Sequence, residues 1–107
     1  MASGSVSSMA SSYEAWTATG MTSGQLTLAR FGKMRTLTFN DVVVPSSADL
    51  VITAVAASDS PAFVTTGVLV LENTAAAQVW VRVNGTFGTS GAIKGHTING
   101  SLVWIAE

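Results

Sequence analysis

The chain reads as an all-β domain, a compact antiparallel β-barrel or β-sandwich of about seven to nine short strands. Three observations predict it. After Tyr13, short β-branched and aromatic runs are broken by Gly, Pro, Asn or Asp every eight to twelve residues or so, the spacing of sandwiches and barrels. Nothing reads as a long helix. Residues 77–83 alternate, with Ala77, Val79, Val81 and Val83 on one face and Gln78, Trp80 and Arg82 on the other, which is the period of a strand with one side in a core.

The first twelve residues are Met, Ala, Ser, Gly and Val only. Without charge or period they read as a flexible arm, or one ordered only by neighbours, and residues 13–107 form the domain. Residues 15–19 around Trp16 make a first short strand, 25–30 a second, and 33–44 a longer, bent third. Gly32 between the last two takes the positive φ of a tight hairpin loop of two or three residues. Pro45 and the serines after it close that unit. Residues 50–55 are the next run, 58–61 a loop, and Phe63 with residues 68–71 the middle of the sheet. Strand 77–83 follows, and Asn84-Gly85 is a pair that readily turns with both residues at positive φ.

The last hairpin is predicted to run over 93–98, turn at Asn99-Gly100 and return over 101–106. A two-residue turn then sets Trp104 opposite Gly95, an aromatic ring over a strand glycine. Large apolar groups stand on both faces of the return strand, Leu102 and Trp104 on one and Val103 and Ile105 on the other. That pattern predicts burial on both sides, one of them at a contact between subunits.

Composition points the same way. At 48% hydrophobic and 10% charged over 107 residues, the chain holds more apolar surface than so small a domain hides alone. Faces covered by other copies or other proteins are expected. The formal charge is −1 and the five basic residues are scattered, a poor footprint for nucleic acid or an anionic membrane. No apolar run approaches the roughly 20 residues that cross a bilayer. The start lacks the basic and apolar segments of a secretory signal, so synthesis in a cytoplasm is expected. With no Cys, disulfides and thiolate chemistry are absent.

No enzyme, metal site or cofactor is expected. The single histidine, His96, falls in a predicted strand. The acidic residues are few and separated, unlike a glycosidase pair. Gly85, Gly88 and Gly91 resemble a phosphate loop only superficially, because no helix follows to present its N-terminus. Binding has more support. Three tryptophans offer faces that stack on the apolar side of a sugar ring, with Asp, Asn, Arg and His available to its hydroxyls. Trp80 and Arg82, turned away from the valine face, are the first ligand-binding candidates, with Asp59 and His96 beside them. The competing reading packs Trp80 and Arg82 at a subunit contact or lays the stem of Arg82 over apolar surface. Leu102, Trp104 and Trp16 are the candidates for an oligomer interface.

A resemblance follows from the order of these features. Trp16 opens the domain. Residues 25–37, Gln-Leu-Thr-Leu-Ala-Arg-Phe-Gly-Lys-Met-Arg-Thr-Leu, give an apolar strand, a basic residue, a glycine turn and a second apolar strand. A proline-containing middle loop, the alternating strand with its glycine turn over 77–85, and a short closing strand complete the pattern. Over residues 13–107 this resembles the C-terminal head domains of receptor-binding, tail-fibre or baseplate proteins from phages of Gram-positive bacteria. The resemblance implies a homotrimeric adhesin head on a virion appendage that binds a host-surface saccharide. The arm shows no heptads or collagen-like repeats of a trimeric stem. The alternative function is a structural virion module, a capsid decoration or baseplate protein, that docks to other virion proteins without a glycan ligand.

Overall fold

The computed structural model describes residues 11–17, 21, 23–47, 51–72, 75–89 and 93–107. Among the described residues eight strands form one sheet: β1 (Ser11–Trp16), β2 (Ser23–Phe31), β3 (Met34–Val43), β4 (Val51–Ala54), β5 (Thr65–Leu71), β6 (Ala75–Val81), β7 (Thr86–Thr89) and β8 (Thr97–Ile105). Their order is β1-β2-β3-β8-β5-β6-β7-β4, and every pairing is antiparallel. The all-β class is therefore as predicted. Of the predicted arm, residues 1–10 lie outside the described residues, whereas Ser11 and Ser12 already pair with β2.

The sheet is strongly curled. Trp16 of β1 meets Phe87 of β7 edge to face at 6.4 Å, and Phe87 meets Phe39 of β3 at 5.9 Å. In a flat sheet, β1 and β7 would stand six strand spacings apart, about 29 Å. Curling closes one face around a core that includes Leu26, Leu28, Leu37, Phe39, Leu69, Val79, Val81, Ile98 and Leu102. Strand alternation places these side chains inside and their neighbours outside. No ladder among the described residues joins β1 to β4, so the architecture is an open half-barrel.

Bends have local causes. Phe39 pairs with Gly100 but Val42 pairs with Ile98, so Asn40 and Asp41 together oppose Asn99 in a β-bulge. Asp41 sits at φ 48. Gly24 of β2 fits against the bulge at φ 97, where an added Cβ would meet the Asp41 carbonyl oxygen at 2.3 Å. The β2–β3 loop has two residues, Gly32 and Lys33, since Phe31 pairs with Met34; Gly32 is at φ 59, as primed hairpin turns require.

Several expectations are corrected. Asn84-Gly85 does turn the chain between β6 and β7, yet only Gly85 has positive φ. The strand before it ends at Val81, so Val83 lies in the turn and is exposed. Asn99-Gly100 is no turn at all: β8 runs straight through it, between β3 and β5. Trp104 therefore pairs with Arg35, not with Gly95. Phe63 lies before β5 in a bend and is 81% exposed. Within one chain only one side of residues 101–106 is buried: Leu102 and Trp104 are covered, whereas Val103 and Ile105 are 52% and 60% exposed.

Candidate functional site

The outer face of the sheet is uncharged and in large part apolar where a solvated face would carry charges. Register aligns Phe31, Met34 and Ile105 in one cross-strand row and Thr36 with Val103 in the next. Val68 and Val70 stand on the outer side of β5 and are exposed, as are Phe31 and Met34. The outward positions 27, 29 and 31 of β2, 34, 36 and 38 of β3, 66, 68 and 70 of β5, and 101, 103 and 105 of β8 include no charged residue. Beside Ile105 the surface dips into a cleft of about 410 Å³ lined by Pro61, Ala62, Phe63, Thr65, Trp104 and Ala106. Exposed apolar side chains gathered on one uncharged face in this way are a candidate interaction surface.

Leu102 and Trp104, expected at a contact between chains, are core residues of their own chain, and Trp16 packs against that core. The alternation is the cause: Leu102 and Trp104 share the inner side of β8, which leaves Val103 and Ile105 to face outward.

Asp59 is placed by a single 3-10 turn, Ala57–Asp59, that plugs one end of the half-barrel. Arg30, Arg35 and Trp104 lie side by side across β2, β3 and β8. Arg30 donates to both carboxylate oxygens of Asp59, from Nε and Nη2 at 2.8 Å each, and Arg35 donates from Nε at 2.6 Å. The Trp104 indole N–H donates to the Asp59 carbonyl at 2.7 Å. Glu14 completes the charge balance on Arg30. The forked contact with Arg30, then the Arg35 bond, hold the Asp59 carboxyl below the ordinary carboxylate range. Burying an acid is tolerable only with such partners. At 1% exposure and with both carboxylate oxygens engaged by arginine, Asp59 is a structural staple closed to a ligand.

Trp80 and Arg82 do come together. Trp80 pairs with Thr66 and with Gly88, and the Arg82 guanidinium lies 5.8 Å from the centre of its ring. His96 stands elsewhere. It precedes β8, with Nδ1 3.4 Å from the Glu72 carboxylate, at the end of β5 opposite Thr66. Six residues of strand separate Thr66 from Glu72, roughly 20 Å. The four ligand-binding candidates are thus divided among three places: the Trp80–Arg82 pair, the Asp59 staple and the His96–Glu72 contact.

Sequence reasoning missed Phe31, Met34, Phe63 and Val68 as surface residues. The available signal was the double-sided apolar character of β8, but placing Met34 beside Ile105 needs a long-range register. Among the described residues no three His, Asp or Glu gather as a metal site requires, and no helix is long and apolar enough to cross a membrane. No protein-family model matches the chain, and none of the curated proteins does.

Proposed function

We propose that the protein is a structural assembly module of a virion appendage, whose uncharged outer sheet face packs against further copies of the same chain. The observation that carries the reading is the apolar surface running from Phe31 through Met34 and Ile105 to Val103 and Val68. It exposes on the order of several hundred Å², the size of the largest patch on a typical soluble monomer, which is often functional. A face without charge does not select a partner by sign and is compatible with its own copy around a symmetry axis, as closed homo-oligomers need. The homotrimer and the virion setting come from the resemblance to phage head domains, and docking to other virion proteins by the same face is the related outcome.

Light scattering coupled to size exclusion tests it. The wild-type chain is expected to elute with a mass that is a multiple of 11.0 kDa. A Val103→Asp/Ile105→Asp variant is expected at a single chain mass, because a carboxylate in a desolvated contact is costly. Wild type as a monomer at all concentrations would overturn self-assembly.

A second reading, the saccharide-binding adhesin head, is supported by the meeting of Trp80 and Arg82. Its test is a glycan array or bacterial cell-wall binding assay with Trp80→Ala and Arg82→Ala beside wild type. Binding lost in both variants supports it, and binding unchanged in both removes the site.

A further inference from the structure

We infer that Trp80 and Arg82 form a binding site for an anionic oxygen group, a carboxylate or a phosphate monoester. The inference does not depend on self-association of the outer face.

The site is built by the β6–β7 hairpin. The Arg82 N–H donates to the Thr86 carbonyl at 2.9 Å, and the Gly85 N–H donates to the Arg82 carbonyl at 2.7 Å. The Asn84 side-chain oxygen accepts from the Thr86 N–H. These bonds fix the backbone that carries Arg82. Two residues earlier, Trp80 sits on the outer side of β6 opposite Gly88. The hairpin therefore holds a guanidinium against an indole ring.

Both groups are donors, and neither finds an acceptor. The Trp80 Nε1–H is shielded from solvent and has no hydrogen-bond partner. Among the described residues, the Arg82 side chain makes no ion pair and no hydrogen bond, and its guanidinium lies over the ring. An indole N–H only donates, and a guanidinium offers five donors and no acceptor, so the pair cannot satisfy itself. Among the described residues, Glu14 and Asp59 are engaged with Arg30, Asp41 with Asn99, and Glu72 with Thr97 and His96, and no ion pair joins Glu107 to Arg82. An unpartnered N–H on the ring that an exposed, unneutralised guanidinium covers calls for an oxygen acceptor with negative charge. Carboxylate and phosphate fit, since each can accept from the forked guanidinium and from a further N–H. Neutral hydroxyls supply no charge to Arg82.

The test follows the indole N–H signals of the full chain by nuclear magnetic resonance, with the Trp80 signal assigned by Trp80→Phe. Galacturonate and glycerol 1-phosphate are the probes, galactose and glycerol their neutral counterparts, all at constant ionic strength. At least one acid is expected to move the Trp80 signal saturably while those of Trp16 and Trp104 stay, and the tighter of the two names carboxylate or phosphate as the preferred group. The neutral counterpart and the Arg82→Gln variant are each expected to bind about tenfold more weakly or worse, because a charge-assisted contact is lost. Arg82→Gln changes an exposed turn residue, so its fold is checked by the unmoved Trp16 and Trp104 signals. Two results would overturn the inference: neither acid moves the Trp80 signal saturably, or Arg82→Gln binds the acid as well as wild type does.

Discussion

The two faces of β8 carry residues of the same kind, and only one of them is filled by the chain itself. Leu102 and Trp104 point inward, to a core closed by Phe39, Phe87 and the Asp59 staple. Val103 and Ile105 point outward onto an uncharged row with Met34 and Phe31. Hydrophobicity at these four positions is alike, so it does not decide which side is core. The direction of curl decides it, and the curl is fixed by bulges and by the plug at the end of the half-barrel. The outer side is left with apolar area that a solvated antiparallel sheet would replace by polar residues.

The comparison breaks first at the inner side. Asp59→Asn is expected to destabilise the fold by about 3–5 kcal/mol, since Arg30 and Arg35 lose a buried countercharge; thermal or urea denaturation reads the loss. The same staple gives a pH signature. Because Arg30 and then Arg35 hold the carboxyl below its ordinary value of 3.8, the contribution of Asp59 is fully present above that value and disappears as pH falls through the lower folded value. A Tm profile of wild type is expected to drop below about pH 4, with that component missing in Asp59→Asn. An unchanged acid limb in the variant would assign acid sensitivity to other groups.

Leu69→Ala, also inward, is expected to cost about 2–5 kcal/mol through lost transfer energy and a cavity. Gly24→Ala sharpens the role of the bulge: at φ 97 with the Asp41 carbonyl in the way, it is expected to cost about 1–3 kcal/mol, read as a lower denaturant midpoint. The smallest stability effect belongs to the outer side. Ile105→Ser is expected to shift folding stability by no more than about 0.5 kcal/mol while weakening association, so a large loss of monomer stability would place Ile105 in the core after all.

The two Asn-Gly pairs explain what the sequence could and could not convey. Both suit a hairpin turn, and the pair at 84–85 makes one. The pair at 99–100 lies inside β8, where an added Cβ at Gly100 would meet Leu69 Cδ2 at 2.8 Å and the Val68 carbonyl at 3.1 Å. Asn99 there bonds to Asp41 in the bulge, accepting from its N–H and donating to its carboxylate. Close approach between distant strands uses the same residues as a local turn, so only the long-range register separates them. Strand β6 was legible because its inner side is apolar at three successive alternate positions. Trp80 beside Arg82 was legible because strand alternation keeps positions 80 and 82 together. Asp59 was misread for the opposite reason: its partners, Arg30 and Arg35, stand more than twenty residues away, and nothing local distinguishes a buried acid from a solvated one.

The covering of the outer face can be measured directly. The chain has no cysteine, so Ile105→Cys introduces a single thiol in the row, and Ser58→Cys serves as a control on an exposed turn. If copies pack by this face, raising the protein concentration is expected to slow thiol labelling at 105 by about tenfold or more by mass action, with no change at 58. Equal labelling rates at 105 across the whole concentration range would contradict it.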